Sequence, residues 1–197
     1  MRRVTLLIAS LLGLTGSAFS QDATSIDESV LYRLKNAGFE RLGRDMCVDV
    51  FNGGELDNEL EMRDCANYSG QLWTFTSIPS ALKHLPTYKM TTQFRGPEMC
   101  LTVDGTLIDH VLRLAPCADV PSENQLWSVM AWKGEGARPD DPLPILGWQI
   151  EPLISADSDQ GSPFLLVVDT PPEGDGRPYV DTKDYVGNGF IWKLKPN

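Results

Sequence analysis

The chain has 197 residues, a formal net charge of −10 at pH 7 and 42% hydrophobic residues. This length suits one domain with a core of its own. Because the acidic side chains repel nucleic acid and anionic lipid, we expect neither as a partner.

Residues 1–20 have the pattern of a secretory signal. Two arginines precede an apolar run at 4–14, and Ala-Phe-Ser at 18–20 provides small residues where signal peptidase cuts. We therefore predict cleavage before Gln21, a flexible leader at 21–29, and a secreted or periplasmic mature protein. A spanning helix needs about 20 apolar residues, and no stretch of the chain reaches that length, so no membrane span is predicted.

Three segments of the remaining chain follow one plan, in which an aromatic residue opens the segment and a tryptophan closes it. The opening residues are Tyr32, Tyr88 and Trp148, and the closing ones are Trp73, Trp127 and Trp192. Internal repetition describes how a whole fold is assembled. We predict one domain, 30–197, with repeats at about 30–78, 86–132 and 146–195.

Each repeat is expected to contain four short strands. Residues 46–51 alternate between two faces, which is the period of a strand, and the Asn-Gly-Gly turn at 52–54 follows them. The predicted strands are 32–34, 46–51, 59–65, 72–76, 88–92, 99–103, 111–114, 126–130, 148–154, 164–168, 179–182 and 191–194. Short strands separated by turns are typical of an all-β barrel or sandwich.

The four cysteines are Cys47, Cys65, Cys100 and Cys117. In an exported protein an even number indicates disulfides, and three pairings are possible in principle. The repeats favour one bond within each of the first two, because equivalent positions should match and the two spacings, 18 and 17 residues, nearly agree. The predicted bonds are Cys47–Cys65 and Cys100–Cys117. A zinc site is the competing interpretation, but the chain lacks a CxxC pair, and neither His84 nor His110 adjoins a cysteine.

Stretches of the first two repeats match each other. They are CVDV at 47–50, LEMRDC at 60–65 and GQLWTF at 70–75, then CLTVDG at 100–105, LRLAPC at 112–117 and NQLWSV at 124–129. They resemble the ricin B-type lectins with their QxW signature, and the third repeat keeps only LLVVD at 165–169 and FIW at 190–192. The resemblance implies an all-β fold, the β-trefoil, with three internal repeats and pseudo-threefold symmetry.

One four-stranded repeat has an apolar face that it cannot cover alone. Three repeats around an axis close a barrel and remove the open edges. Since tryptophan buries about 150–250 Å², we expect Trp73, Trp127 and Trp192 to fill the core at equivalent positions. The QxW glutamine is expected to tie a loop backbone or to support a site.

The resemblance also implies shallow sites for galactose-type sugars, one in each repeat. Such a site needs a carboxylate, a stacking ring and an Asn/Gln pair. In the first repeat Asp49 matches the carboxylate, but Arg63 replaces the ring and Gly70 replaces the asparagine. Tyr68 is a candidate substitute for the ring. The predicted carbohydrate-binding residues of this repeat are Asp49, Glu61, Tyr68 and Gln71.

The second and third repeats match this pattern less well. Asn124 and Gln125 are predicted carbohydrate-binding residues of the second, but Thr102 stands where the carboxylate belongs. The remaining candidates are Asp104 in the second repeat and Asp169, Asp181, Tyr185 and Asn188 in the third, where Phe190 replaces the glutamine. No repeat has the full set, so we expect weak sites that depend on multivalency.

Motifs of catalysis are absent from the sequence: there is no HExxH, GxSxG or P-loop. The Asp157-x-Asp159 stretch lacks the glutamate of a calcium loop, and Asn67 begins a glycosylation sequon. Because the trefoil takes up the whole mature chain, we expect no enzymatic activity, no cofactor and no metal.

The sequence therefore predicts a secreted, non-enzymatic, carbohydrate-binding protein whose partners are galactose-type glycans. Two alternatives stay open. One is a protein-interaction or toxin-delivery subunit, similar to the binding subunits of cytolethal distending toxins in length, export and loss of sugar sites. The other is a trefoil protease inhibitor, which acts through an exposed loop such as those predicted at 155–162 and 171–178.

Overall fold

The computed structural model describes residues 26–79, 85–104, 111–120, 122–135, 143–154, 164–168, 176–182 and 189–197. Several predictions lie outside these residues. They concern the signal segment, both histidines, the Asp157 motif, and Asp169, Tyr185 and Asn188 of the third repeat.

The described residues form twelve strands, and all of the predicted strands are present. The first repeat has β1 (Tyr32–Asn36), β2 (Met46–Val50), β3 (Leu60–Asp64) and β4 (Trp73–Ser77). The second has β5 (Thr87–Thr92), β6 (Gly96–Asp104), β7 (Val111–Pro116) and β8 (Trp127–Trp132). The third has β9 (Gly147–Pro152), β10 (Phe164–Val168), β11 (Pro178–Thr182) and β12 (Trp192–Pro196).

Short helical segments join some of these strands. The sequence pattern did not predict α1 (Ala37–Arg41), which begins where the Asn36 side chain accepts a hydrogen bond from Gly38 N at 2.9 Å. Single 3₁₀ turns at Ser69–Gln71 and Glu123–Gln125 precede β4 and β8. In the part of the chain that the structure describes, no helix has the length and apolar character needed to cross a membrane.

Six strands close a barrel. Strand β1 pairs with β12 and β4, and the ring continues from β4 through β5, β8 and β9 back to β12. The other strands form three hairpins, β2–β3, β6–β7 and β10–β11. The hairpins contact one another: Leu114 N donates to Asn58 O at 2.8 Å, and Met62 N donates to Gly176 O at 3.1 Å. A closed ring leaves no barrel strand with an unpaired edge.

The three closing tryptophans occupy equivalent core positions, each with 0% of its surface exposed. Each indole N–H donates to a backbone carbonyl in the first hairpin strand of its own repeat. The pairs are Trp73 with Val48 O at 3.3 Å, Trp127 with Leu101 O at 2.9 Å, and Trp192 with Leu166 O at 2.8 Å. The tryptophans thus fill the core and join each hairpin to the barrel.

The backbone between repeats obeys the same symmetry. The carbonyl of the residue before each tryptophan accepts a hydrogen bond from the residue that follows the first strand of the next repeat. The bonds are Gln93 N to Leu72 O at 2.9 Å, Leu153 N to Leu126 O at 2.8 Å, and Ala37 N to Ile191 O at 2.9 Å. Each QxW turn is therefore held against the neighbouring repeat.

Two disulfides join the ends of the first two hairpins. Cys47 is bonded to Cys65 and Cys100 to Cys117, which are the predicted pairs, and the Cα atoms lie 5.0 Å apart in both. The sequence has no other cysteine, so the third hairpin lacks such a bond.

Part of the predicted leader, residues 26–29, lies against the barrel in the structure. Ile26 is only 8% exposed and packs in the core cluster. The Glu28 carboxylate accepts a hydrogen bond from Ser77 N at 3.1 Å. An apolar residue in this polar segment therefore attaches it to the barrel beside β4.

Candidate functional site

The first repeat has an open cleft of about 480 Å³ beside its 3₁₀ turn. Residues from the β2–β3 hairpin, the turn and the following repeat line it. They are Asp49, Val50, Asn52, Arg63, Asn67, Tyr68, Ser69, Gly70, Leu72, Gln93 and Phe94. Of the predicted carbohydrate-binding residues, Asp49 and Tyr68 are among these lining residues, whereas Gln71 and Glu61 are not.

The Asp49 carboxylate is held from both sides. Its Oδ1 accepts a hydrogen bond from Val50 N at 2.8 Å, and its Oδ2 accepts one from Gln71 Nε2 at 3.1 Å. Gln71 is 0% exposed; it also donates to Asp64 O at 3.1 Å and accepts from Ala66 N at 2.8 Å. Gln71 therefore supports the carboxylate from behind and does not itself reach the cleft.

Gly70 makes room for this carboxylate. A Cβ atom added at Gly70 would lie 2.2 Å from Asp49 Oδ1 and 3.3 Å from Val50 N. The absence of a side chain at position 70 thus allows Asp49, which is itself 3% exposed, to lie against the turn. Position 70 is where the resemblance leads one to expect asparagine, and with Asp49 in this position an asparagine side chain has no room there.

Glu61 lies directly opposite Asp49 in the β2–β3 pair. Its Oε1 is 2.9 Å from Arg63 Nη2, an ion pair whose angles fall outside those of a hydrogen bond. Burial raises the pKa of Glu61; the nearby Arg63 charge opposes this, and the Asp49 charge adds to it. Arg63, with 54% of its side chain exposed, places a cation at the cleft where the resemblance implies a ring.

Replacing Glu61 with glutamine is expected to change stability in a pH-dependent way. Because the pKa of Glu61 is raised in the folded protein, protonated Glu61 contributes its full stability at pH values below its ordinary pKa of 4.5. This contribution is lost as the pH rises through the pKa of the folded state. Glu61→Gln should therefore gain stability relative to wild type between pH 4 and pH 7, by less than about 1 kcal/mol for this partly exposed pair. Urea denaturation at the two pH values measures this, with the exposed Glu55→Gln as control; a difference that does not change with pH contradicts it.

Aromatic rings reach the cleft from two repeats. Tyr68 is 54% exposed at the rim. Phe94 comes from the second repeat, and its backbone N–H donates to Ser69 O at 3.1 Å. The Arg95 guanidinium lies over the Phe94 ring, 4.3 Å from its centroid, and pairs with Asp57. The cleft therefore has rings at its edge although position 63 has none.

The sequence prediction did not include Phe94 or Gln93. Both follow β5, and their contacts with the first QxW turn cross a repeat boundary. The pseudo-threefold plan could have indicated these two residues. It places the loop that follows the first strand of each repeat beside the QxW turn of the preceding repeat.

In the second repeat, Gln125 makes hydrogen bonds equivalent to those of Gln71, but a carboxylate is missing. Gln125 Nε2 donates to Thr102 Oγ1 at 3.1 Å and to Pro116 O at 2.9 Å, and its Oε1 accepts from Ala118 N at 2.9 Å. The Thr102 hydroxyl therefore takes the place of the Asp49 carboxylate. Asn124 Nδ2 donates to Val103 O at 3.3 Å.

The other candidate residues of the second and third repeats contact residues of their own repeats or of a neighbouring strand. Asp104 forms an ion pair with Arg113 at 3.1 Å. Phe190 packs edge-on against Trp132, with the ring centroids 6.0 Å apart. Asp181 lies on β11 opposite Leu165. Among the described residues, no group of three or more His, Cys, Asp or Glu side chains could hold a metal ion.

No protein-family model matches the chain, and a search of curated proteins found no match. Solved structures do match it. The BEL beta-trefoil matches with a TM-score of 0.59 at 13% identity, over 87% of this chain and 96% of that one. The fold is a β-trefoil.

Two other β-trefoils were solved with sugars. The ricin B-like lectin of Macrolepiota procera, in complex with lactose, matches with a TM-score of 0.54 at 15% identity, over 88% of this chain and 100% of that one. The β-trefoil lectin of the Vibrio vulnificus hemolysin/cytolysin, with N-acetyl-D-lactosamine bound, matches with a TM-score of 0.52 at 16% identity, over 89% and 96%.

Longer chains also contain a region that matches this β-trefoil. The match covers 18% of a mosquitocidal holotoxin chain and 32% of an endo-β-galactosidase chain from Clostridium perfringens. The identities are 16% and 9%, so these matches, like those to the lectins, show the fold alone. The predicted fold class is confirmed, and the predicted sugar-binding residues stay predictions.

Proposed function

We propose that this β-trefoil is a carbohydrate-binding protein without catalytic activity, and that the cleft of its first repeat binds a galactose-type sugar. The observation that carries this proposal is the Asp49 carboxylate, which Val50 N and Gln71 Nε2 hold at the cleft. The two disulfides support a secreted or periplasmic location, since such bonds persist in oxidising compartments.

The chemistry of the cleft suits a neutral sugar. A carboxylate has about four acceptor sites, and each Asp49 oxygen uses one of them within the protein, so others are left for adjacent sugar hydroxyls. Arg63 and the exposed Gln93 side chain offer donors, and Tyr68 or Phe94 offers a ring for the apolar face of the sugar. An open cleft with these few groups favours weak binding.

Asp49→Asn is expected to weaken lactose binding at least tenfold, because the amide presents a donor where the site needs an acceptor. Tyr68→Ala, at an exposed position, should weaken binding about fivefold if the ring stacks on the sugar, equivalent to about 1 kcal/mol. NMR titration of the oxidised protein with lactose measures both effects. Asp119→Asn is the matched control, since it removes one exposed carboxylate from the second repeat and should leave binding unchanged.

A broad glycan array tests the proposal as a whole. Wild type should bind galactose-containing glycans, and Asp49→Asn should lose them while retaining the wild-type circular dichroism spectrum. An array on which folded wild type binds no glycan would overturn the proposal.

A toxin-delivery subunit is the alternative with an observation in its favour, namely the match to part of a mosquitocidal holotoxin. Co-purification with an enzymatic toxin subunit, in the absence of glycan binding, would support it. The loops that the inhibitor alternative needs, 155–162 and most of 171–178, lie outside the described residues.

A further inference from the structure

Four cations face each other across the pair formed by the first and last strands of the barrel. In the β1–β12 register, Arg33 lies opposite Lys195 and Lys35 lies opposite Lys193. Like charges directly opposite each other destabilise an antiparallel pair. Such an arrangement is unexpected in a chain with a net charge of −10, where acidic residues outnumber basic ones.

Carboxylates neutralise only one of these two opposed pairs. Lys35 forms an ion pair with Asp45, and Lys193 forms one with Glu40. Arg33 instead donates to neutral acceptors, Ala66 O at 3.2 Å and Asn67 Oδ1 at 3.4 Å. Within the described residues, neither Arg33 nor Lys195 forms an ion pair.

The positive charges of this face also act on the carboxylate of Glu40. The hydrogen bond from Lys193 lowers the pKa of Glu40 most, and the charges of Lys35 and Lys195 lower it further, against the opposing effect of burial. An added anion between Arg33 and Lys195 would experience the same field and would relieve the repulsion between them.

The opposed pair lines a recess of about 340 Å³ next to the sugar cleft. Arg33, Lys35, Lys195 and Asn67 line it together with the Asp45 carboxylate, which is paired with Lys35, so the cations still outnumber the anion in the recess. Asn67 also lines the Asp49 cleft, and its side chain accepts the hydrogen bond from Arg33. The two recesses therefore share Asn67 as a lining residue.

We propose that the first repeat recognises an acidic glycan, in which the galactose-type sugar occupies the Asp49 cleft and a neighbouring sulfate or carboxylate group lies between Arg33 and Lys195. The inference rests on the proposed sugar site and adds the charge of its ligand. A guanidinium binds such planar or tetrahedral oxyanions with paired hydrogen bonds, and the ammonium adds a point charge. A short oligosaccharide suits this small patch, whereas a membrane or nucleic acid would also meet the acidic remainder of the surface.

The test compares N-acetyllactosamine with its sulfated and sialylated forms, by titration at low and high salt. Wild type should bind at least one acidic form about tenfold more tightly at low salt, and screening should reduce the preference at high salt. The double variant Arg33→Gln/Lys195→Gln should lose the preference and keep its affinity for the neutral sugar. Arg44→Gln/Lys89→Gln removes two positive charges elsewhere and should keep the preference.

The two proposals fail in different ways. If wild type binds neutral and acidic forms equally, or the Arg33→Gln/Lys195→Gln variant keeps the preference, the acidic-glycan inference is overturned while the sugar site stands. A sulfated oligosaccharide should raise the melting temperature of Asp49→Asn but not that of the double variant. This result would support the cationic site even if neutral sugars fail to bind. Binding to phosphatidylserine vesicles and to no acidic glycan overturns the inference in favour of a membrane surface.

Discussion

Trp192→Ala is expected to lower the free energy of unfolding by about 3–5 kcal/mol. The side chain is 0% exposed, and its indole N–H donates to Leu166 O at 2.8 Å. The variant loses this burial and leaves a buried carbonyl without its donor, which adds to the cost of the cavity. The third hairpin has no disulfide, and the hydrogen bond from Trp192 to Leu166 O joins that hairpin to the barrel.

Urea denaturation of the oxidised protein measures this loss, and Trp132→Ala is the control. Trp132 is half-buried and packs edge-on against Phe190, so its truncation should cost clearly less. Hydrogen exchange adds a local test, in which β10 and β11 should lose more protection than β2 and β3. Equal destabilisation by the two variants would contradict the core role assigned to Trp192.

The fold could be predicted from sequence because its main signals are local and repeated. The alternation at 46–51 indicates a strand from local sequence alone, the cysteine spacing occurs twice, and the closing tryptophan occurs three times. The helix α1 could not be predicted in this way, since five residues are too few to show a helical period. Its start depends on the Asn36 cap and on the bond from Ala37 N to Ile191 O at the far end of the chain.

The site was predictable only in part. Asp49 and Gln71 belong to one repeat and were paired by their place in its pattern. Phe94 reaches the cleft across a repeat boundary, which no spacing within the first repeat encodes. The opposition of Arg33 and Lys195 depends on the register between the first and last strands, and that register follows only once the barrel is closed.

The family resemblance and the geometry of the cleft predict opposite effects of Gly70→Asn on sugar binding. By resemblance, the substitution restores an asparagine missing from the sugar site and should strengthen binding. By geometry, any Cβ at position 70 lies 2.2 Å from Asp49 Oδ1. Asp49 is short and held by two hydrogen bonds, so it must leave its position or the turn must shift. We expect a loss of about 1–3 kcal/mol in stability, together with the loss of lactose binding.

A double variant tests this steric explanation directly. Asp49→Thr/Gly70→Asn reproduces the pair that the second repeat has in Thr102 and Asn124, where a threonine hydroxyl accepts the glutamine hydrogen bond. It should recover most of the stability that Gly70→Asn loses, yet bind no lactose, because the carboxylate is gone. Denaturation and titration of both variants measure this. Tighter lactose binding by Gly70→Asn alone would contradict the steric explanation, and equal stability of the two variants would show that Asp49 and position 70 do not compete for space.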